Sequence, residues 1–406
     1  MSEILDNQQK TILNILSCTL NESINFNQDS FLTFTESDLK ELYLESIAHA
    51  VSLMVFDRLS VCKDKINKEI YSEWKNSCAV YLRNNLKVTK GESELFKLLE
   101  NNGFSFAVLK GSASSKYYNK GDLRISGDVD FLVKKEDVVS ITNLLITNGY
   151  VKGRDDHPNH VVFEKNKVFF ELHFEVAGIP YGKIGESLNE YIDKNYIIGS
   201  DNHIPNDICH GLILILHMQH HLLGEGIGLR HLYDFATFVQ KTANKDFWVK
   251  ELLPLLKETG LYTFTMAMIN TVVKFLSVDE PAWAIIGDNK LSSELIIDVF
   301  NAGNFGRKDK NRAGSGMLIS EHGKGGTTHS ALYNLSHSLH KAVLRMPIVK
   351  KCIFLYPFVY AYKVIKFCFL SLIGKRPSLI KMAPEAKKRK SIYDKLKVFE
   401  VEDKEK

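Results

Sequence analysis

Two aspartates one residue apart, Asp128 and Asp130, are the side chains of this chain best suited to chemistry. They open the segment DVDFLV, which predicts a strand with both carboxylates on one face because side chains alternate along a strand. Two neighbouring carboxylates repel each other and are costly to bury unless a cation lies between them. Carboxylate oxygens are ligands that Mg²⁺ prefers. The pair therefore predicts a divalent-metal site.

A second candidate element precedes this strand. Residues Phe104 to Leu109 predict a buried strand that ends at Lys110-Gly111-Ser112. Backbone N–H groups and a hydroxyl at such a turn suit phosphate oxygens. Lys110 and Arg124 are cationic candidates for phosphate contact, and pairing with a nearby carboxylate is the alternative for each. A phosphate-binding turn beside a metal site predicts metal-dependent phosphoryl or nucleotidyl transfer.

These residues carry a resemblance to a known family. The segments LKGSA, YY and LRISGDVDFLV are similar to the signature of the DNA polymerase beta-like nucleotidyltransferase superfamily, in a bacterial branch of largely uncharacterised members. The later segment HHLLGEGIGLRHLYDFA resembles the same branch, so the likeness covers residues 93–240. Ser112 and Asp128 are separated by 15 residues, slightly more than this signature usually has, which predicts a longer helix between the two strands.

The resemblance implies an α+β fold, with a small mixed nucleotidyltransferase sheet flanked by helices. It implies an enzyme that moves an NMP from an NTP, such as ATP, to a hydroxyl or phosphate of an acceptor that the sequence leaves open. Asp128 and Asp130 would hold two Mg²⁺ ions, and Gly111 and Ser112 would hold the outgoing phosphates. The alternatives are phosphoryl transfer, or a non-catalytic nucleotide-binding or regulatory protein of the same fold.

Nucleotidyl transfer of this type needs a third carboxylate on a later strand. Residues His160 to Phe163 and Val168 to Val176 predict a hairpin whose second strand places Glu171, His173 and Glu175 on one face. Glu171 is the candidate for the third metal ligand and for the base that accepts the proton of the attacking hydroxyl. Glu175 is the second choice, and a solvated edge hairpin is the alternative.

The segment 206–223 predicts an apolar helix that carries four histidines. His217 and His221 have the i, i+4 spacing of zinc enzymes, but the HExxH glutamate and a third ligand are not evident, so we expect packing or contacts to nucleotide or acceptor instead. In the next helix Arg230 and Asp234 are one turn apart, which predicts an intrahelical ion pair. By analogy with related enzymes, whose helical domain closes over the cleft, Arg230 is also a candidate phosphate contact.

The predicted elements divide the 406 residues into five regions. These are a helical region 1–92, a catalytic domain 93–200, a helical domain 201–300 that closes the cleft, a Gly-rich loop 301–340, and a basic, aromatic tail 341–406. In the first region Ser37-Asp38 is expected to cap a helix, and further helices are expected from about Asn67 and Ser93. Gly103 is the expected stop of the last of these.

Composition favours a cytoplasmic globular protein. Hydrophobic residues make up 45% and charged residues 25% of the chain, an ordinary globular balance. The first ten residues are polar and acidic, so they do not predict a secretory signal. Six cysteines are scattered without CxxC spacing, which favours reduced thiols over disulfides or zinc.

The net charge of +4 conceals a basic tail. Residues 341–406 contain 17 Lys and Arg against 6 Asp and Glu. This excess predicts an anionic partner, such as the inner face of a membrane, nucleic acid or a polyanionic acceptor, with a purely solubilising role as the alternative. A stable nucleic-acid complex is not predicted.

Within this tail, Cys352 to Gly374 is apolar and aromatic, and Lys363 and Lys366 interrupt it. Its longest uncharged apolar run is 11 residues, fewer than the roughly 20 that a spanning helix needs. The expectation is therefore a pair of core helices, with an interfacial helix as the alternative.

Overall fold

The computed structural model describes residues 4–24, 26, 33–153, 159–196, 203–287, 289–309, 312–319, 331–344, 346–373 and 379–401. Its strands are β1 (Phe106–Leu109), β2 (Asp128–Val133), β3 (Val151–Lys152), β4 (His160–Lys165) and β5 (Val168–His173). They form one open sheet in the order β1-β2-β5-β4-β3, in which β2 and β5 are parallel and the other neighbours are antiparallel. The predicted α+β class and mixed sheet are confirmed.

The helices surround this sheet and form most of the protein. They are α1 (Asn7–Leu20), α2 (Glu36–Ala48), α3 (Ser52–Leu59), α4 (Lys68–Asn101), α5 (Gly111–Ser115), α6 (Val138–Thr147), α7 (Lys183–Asn195), α8 (Asp207–Leu223), α9 (Leu229–Thr242), α10 (Leu253–Glu258), α11 (Tyr262–Leu276), α12 (Asn289–Ala302), α13 (Arg312–Ile319), α14 (Ala331–Leu344), α15 (Pro347–Lys351), α16 (Tyr356–Leu372) and α17 (Leu379–Leu396).

The two faces of the sheet belong to different cores. Val129 and Phe131 of β2 point to one side, where they pack with Leu95 of α4 and Ile141 of α6. The alternating residue Leu132 points to the other side and joins the large apolar cluster of the helical body, which runs from Leu5 to Phe399. Because Asp128 and Asp130 share that second face, the sheet presents both carboxylates towards the helical body. The domain boundaries that divide the chain into regions stay predictions.

The N-terminal helices begin and end differently from the expectation. Thr35 caps α2 through reciprocal hydrogen bonds with Asp38, so the cap is two residues earlier than the predicted Ser37. The two helices expected from Asn67 and Ser93 are one continuous helix, α4, which Asn67 caps. This helix stops just before Gly103, as predicted, where the backbone takes a φ of +74°.

The connection between Ser112 and Asp128 does not contain the predicted longer helix. Helix α5 is five residues long and ends before the two tyrosines, which lie in turns. The tyrosine hydroxyls explain the course of the chain: Tyr117 donates a hydrogen bond to Asp207 of α8 (2.7 Å) and Tyr118 donates one to Asp234 of α9 (2.6 Å). These contacts hold the connection against the helical body.

The predicted Gly-rich loop 301–340 is wrong for the residues that the structure describes. Helix α13 begins at Arg312, whose buried guanidinium pairs with Asp298 of α12 (2.6 Å) and Glu385 of α17 (3.2 Å). Helix α14 follows at residue 331, and residues 320–330 lie outside the described part of the chain. A buried ion pair thus anchors a segment whose composition predicts a loop.

The C-terminal region divides into a buried helix and an exposed one. Helix α17 packs in the core, with Met382 and Leu396 buried. The segment Ile353–Leu372, by contrast, has a mean hydropathy of 1.5 and is 0% buried, so the expected pair of core helices is wrong. By length and composition it is apolar enough to cross a membrane despite its two lysines, which corrects the rejection that rested on the uncharged run.

Replacing Arg389 with alanine tests whether α17 is part of the core. Its guanidinium donates hydrogen bonds to the backbone oxygens of Leu222 (2.8 Å), Leu223 (3.0 Å) and Gly224 (2.8 Å) at the end of α8. Without it, these acceptors lose their charged donor, so we expect the free energy of unfolding to fall by about 3–5 kcal/mol in urea titrations. The control Lys388→Ala, at an exposed neighbouring residue, should change the free energy of unfolding by less than about 0.5 kcal/mol. Equal effects of both variants would contradict the buried docking of α17.

Candidate active site

The register of the central strands assembles the predicted carboxylates. On the parallel pair β2 and β5, Asp130 lies opposite Glu171, and Asp128 lies opposite Phe169. Residues two apart on a strand share a face, so Asp128, Asp130 and Glu171 form one group on the sheet surface. The structure thus brings together the three carboxylates that the sequence analysis selected.

This group forms the floor of a cleft of about 230 Å³ between the sheet and helices α8 and α9. The floor and its edge carry Lys110, Gly111, Arg124, Asp128, Asp130, His160, Glu171 and His173. The opposite wall carries His217, His220, His221, Arg230, His231 and Phe305. The cleft therefore has an acidic floor and a wall of imidazoles with one guanidinium.

Asp130 is the most tightly held carboxylate of the three. Its Oδ1 accepts a hydrogen bond from Lys110 Nζ (3.1 Å) and lies 2.8 Å from His173 Nε2. Burial by itself would raise the pKa of Asp130, but the two cationic neighbours outweigh it and hold this pKa well below the usual value. Lys110 reaches Asp130 from a strained backbone, with a φ of +51°, a conformation that non-glycine residues rarely adopt. Asp130 therefore stays ionised.

Asp128 is the open member of the group, with its side chain exposed at the end of β2. Desolvation in the cleft and the charge of Asp130 raise the pKa of Asp128 to about 6. One carboxylate is thus fixed as an anion while its neighbour is shifted towards neutral pH. This is the behaviour expected of two crowded carboxylates.

The two cations that the sequence analysis ranked as phosphate contacts are both bound to carboxylates. Lys110 pairs with Asp130, and Arg124 makes two hydrogen bonds of 2.8 Å to the carboxylate of Asp234. This buried pair also overturns the predicted intrahelical ion pair between Arg230 and Asp234. The carboxylate of Asp234 on α9 is already paired with Arg124, which lies in the connection before β2.

Arg230 faces the cleft instead. It donates one hydrogen bond to the backbone oxygen of Ile125 (2.9 Å), and its buried Nε has no hydrogen-bond partner among the described residues. Its guanidinium lies 5.6 Å from the centre of the Phe305 ring. Burial and the nearby Arg124 lower the pKa of Arg230, because its charge is poorly compensated. The guanidinium of Arg230 is therefore available to bind an anion in the cleft.

The predicted phosphate turn is only partly directed at the cleft. Gly111 lines it, but the Ser112 hydroxyl donates a hydrogen bond to Glu92 of α4 (2.8 Å). Ser112 and Glu92 line a neighbouring cavity of about 330 Å³, which Gly111 and Asp128 also border. Any contact between Ser112 and a phosphate is therefore left to its backbone amide.

Glu175, the second choice for the third acid, lies beyond the end of β5. Its carboxylate accepts a hydrogen bond from Asn189 of α7 (3.0 Å). It does not line the cleft, whereas Glu171 does. Of the two glutamates, the geometry therefore selects Glu171.

The histidines of the wall pack against one another and against Phe305, whereas their expected contacts to nucleotide or acceptor stay a prediction. The rings of His217 and His221 are 4.3 Å apart, and Phe305 lies edge-on to His221 and His231 at 4.8 Å. Burial lowers the pKa of His217 and His231 well below the usual value, so both are neutral near pH 7. His217 Nδ1 and His231 Nε2 are buried without a hydrogen-bond partner among the described residues.

The sequence analysis missed His160, and the hairpin contained the signal that locates it. The turn consists of Asn166 and Lys167, both with positive φ, which is the geometry of a two-residue hairpin turn. This turn places His160 directly opposite His173. The predicted strands ended at Phe163 and resumed at Val168, which left a four-residue turn at 164–167. That turn would place His160 opposite Glu171, so the cluster of histidines was not recognised.

The open mixed sheet with its flanking helices is a nucleotidyltransferase-like α+β fold. A family model described as "uncharacterised nucleotidyltransferase" matches residues 35–277, which is more than half of the chain. The chain belongs to this nucleotidyltransferase family, and the protein is an enzyme of the transferase class. No curated protein matches the sequence.

Asp128→Asn should stabilise the metal-free protein at neutral pH. The folded-state pKa of Asp128 is raised from 3.8 to about 6, so the protein loses stability as pH rises from about 3, where both states are protonated, through about 6. The asparagine removes this loss. Urea unfolding with EDTA should show the variant more stable than wild type near pH 7.5 and equal to it at about pH 3.

The exposed Asp64, outside the cleft, provides the control. Asp64→Asn should leave the free energy of unfolding unchanged across the same range. A variant Asp128→Asn that is less stable than wild type at neutral pH contradicts the crowding of the two aspartates.

Proposed function

We propose that this enzyme transfers an NMP from an NTP to a hydroxyl or phosphate of an acceptor, in the manner of the DNA polymerase beta-like superfamily. The observation that supports this most strongly is the register of β2 and β5, which places Asp128, Asp130 and Glu171 on one cleft floor. We propose ATP or another NTP as the donor substrate.

The residues of the floor fit divalent metal ions. Asp128, Asp130 and Glu171 offer oxygen ligands from adjacent strands, which suits Mg²⁺, and we propose that they hold the two ions of this superfamily. Bound metal would neutralise phosphate charge and activate the attacking hydroxyl. Lys110 and His173 fix the position of Asp130, so the carboxylate is already oriented as a ligand.

Arg230 is the proposed contact to the triphosphate, together with the backbone amides of Gly111 and Ser112. Its guanidinium is the cation of the cleft wall that is not bound to a carboxylate among the described residues. An arginine fork matches phosphate oxygens well. Lys110 and Arg124 then act through the carboxylates that they hold, as positioning residues.

Glu171 is the proposed proton acceptor. Its side chain is 25% exposed and lies next to Asp130 across the parallel strands, so an acceptor hydroxyl can reach it from the cleft. The neutral histidines of the opposite wall would hydrogen-bond the acceptor or the nucleotide through their unpartnered nitrogens. A non-catalytic role fits this arrangement poorly, because the crowding of Asp128 against Asp130 without metal only destabilises the fold.

Asp128→Asn should abolish Mg²⁺-dependent release of pyrophosphate from NTPs, since it removes a proposed metal ligand. The loss should exceed about 100-fold in turnover. Pyrophosphate assays of the variant and of EDTA-treated wild type should both be blank. Full activity in either sample would refute the metal assignment.

Glu171→Gln should lower turnover far more than nucleotide affinity, because the carboxylate acts on the attacking group. We expect a fall in kcat of about 100-fold or more, with Kd for the NTP changed less than about threefold. Glu175→Gln is the matched control and should be silent, because Glu175 lies outside the cleft. The opposite pattern would show that the third acid is misassigned.

We further propose that the enzyme is cytoplasmic and peripheral to the inner face of the membrane. The segment Ile353–Leu372 is a 20-residue apolar helix whose side chains are not buried in the protein. Phe354 (83%), Phe358 (73%) and Leu372 (85%) are largely exposed. So large an apolar surface needs a cover, and the basic residues that surround it favour an anionic lipid surface.

This helix is proposed to lie in the membrane plane rather than to span it. The described helices α14, before it, and α17, after it, contribute Leu335 and Met382 to the large apolar cluster of the protein body. Between Ile373 and Leu379 the chain can extend at most about 20 Å, less than the roughly 30 Å of a bilayer core. Both ends of α16 therefore stay on the same side, which is the geometry of an interfacial helix.

Flotation with liposomes tests this location. Wild type should float with anionic vesicles at low salt and much less at high salt, whereas Phe358→Glu should reduce flotation at least about fivefold. Val61→Glu, at an apolar residue exposed by 66% elsewhere, is the matched control and should float like wild type. A wild-type protein that stays with the soluble fraction throughout would overturn the membrane proposal.

A further inference from the structure

Four ligand-type atoms converge at the inner end of the cleft floor. His173 Nε2 lies 2.8 Å from Asp130 Oδ1 and 3.2 Å from Glu171 Oε2. His160 Nε2 lies 3.8 Å from the same glutamate oxygen. The donor atoms of His160, Glu171 and His173 all lie within 4.8 Å of one another, a grouping that could hold a metal ion.

Three neighbouring strands fix this cluster. His160 of β4 is directly opposite His173 of β5, and Asp130 of β2 is directly opposite Glu171 of β5. All four side chains share the cleft face of the sheet, because the register pairs them and Glu171 and His173 are two residues apart. Sites built on strands hold their ligands more accurately than sites built on loops.

The spacing of the donors matches a coordination shell. Metal bonds of about 2.0–2.2 Å to nitrogen and oxygen place neighbouring ligands about 3.0–3.5 Å apart in octahedral or tetrahedral geometry. The separations of 3.2 Å and 3.8 Å are within or close to this range, and the third separation, between the two histidine nitrogens, is at most 4.8 Å, which side-chain rotation can reduce. The side chains of His160 (13% exposed) and Glu171 (25% exposed) border the cleft, which leaves room for a further ligand such as a phosphate oxygen.

The chemistry of the donors selects the metal. Imidazole nitrogens are good ligands for first-row transition metals and poor ones for Mg²⁺, which keeps to oxygen. Two histidines and one carboxylate on one face resemble the ligand sets that bind such metals with open positions. A site for Mg²⁺ alone would leave both imidazoles outside its shell of oxygen ligands.

We propose that His160, Glu171 and His173 bind one first-row transition-metal dication of the kind that imidazole ligands favour, such as Fe²⁺ or Zn²⁺, beside the Asp128–Asp130 pair, and that Mn²⁺ can occupy the same site as a paramagnetic probe. His173 Nε2 would then exchange its contact with Asp130 for this ion, which leaves Lys110 to hold Asp130. Glu171 would be shared between this ion and the oxygen-ligand site. The catalytic use of the ion rests on the proposed nucleotidyl transfer, whereas its binding does not. The enzyme would differ from a pure two-magnesium centre in holding one position for a nitrogen-liganded metal.

Mn²⁺ alone, without nucleotide, is the probe. Electron paramagnetic resonance of the wild-type protein should show one bound Mn²⁺ that about a tenfold excess of Mg²⁺ does not displace. Pulsed measurements should detect coupling to imidazole nitrogen. An absence of nitrogen coupling, or complete displacement by Mg²⁺, would overturn the proposal without the need for any variant.

Variants assign the ligands and separate this proposal from the proposed function. His160→Asn and His173→Asn should each weaken Mn²⁺ binding at least about tenfold and reduce the nitrogen coupling. His203→Asn is the matched control, since His203 also pairs with a glutamate, Glu100, but lies outside the cleft. Unchanged Mn²⁺ affinity and coupling in both folded cleft variants would refute the assignment.

Asp128→Asn distinguishes a failure of this metal-site proposal from a failure of the proposed nucleotidyl transfer. It should keep the nitrogen-coupled Mn²⁺ while losing pyrophosphate release, because Asp128 is not among the three proposed ligands. Loss of that nitrogen-coupled ion in Asp128→Asn would contradict a separate site. Loss of turnover alone concerns only the proposed function.

Discussion

The contact of Asp130 with Lys110 and His173 is the constraint on which the site depends. Asp130 is 5% exposed, so its charge would be unfavourable without these two partners. Their presence keeps the carboxylate ionised and fixed in direction. It also determines the roles of its neighbours: Asp128 becomes the carboxylate with a raised pKa, and Lys110 is not available for phosphate.

A second buried contact, between Arg124 and Asp234, joins the sheet to the helical body. Arg124 precedes β2, and Asp234 lies on α9, which forms the opposite wall of the cleft. Tyr118 donates a further hydrogen bond to the same carboxylate. Because Arg124 occupies Asp234, Arg230 is directed towards the cleft. The cation proposed to meet the phosphates thus depends on an ion pair between residues that are 110 positions apart.

Local patterns in the sequence were sufficient to predict that three carboxylates share the floor of the cleft. Asp128 and Asp130 share a face because strand side chains alternate, and Glu171 follows from a hairpin with the same alternation. The sequence was insufficient wherever a distant partner decides the outcome. Arg124, and not the predicted Arg230, forms the ion pair with Asp234. Residues 312–319 form a helix because Arg312 makes a buried ion pair with Asp298. Helix α16 is exposed although its composition suits a core. His160 was missed because its partner on β5 depends on whether the hairpin turn has two residues or four.

The position of the transferred label tests the central claim, nucleotidyl transfer from the acidic cleft, most directly. NTPs radiolabelled at either the α- or the γ-phosphate would be incubated with the enzyme, Mg²⁺ and a clarified cell extract as the source of acceptors. The account predicts that the α-label enters an acceptor and that the γ-label leaves as pyrophosphate. With Asp128→Asn, no α-label should enter an acceptor and no labelled pyrophosphate should form. Transfer of the γ-label to an acceptor, or equal α-labelling by Asp128→Asn, would contradict it.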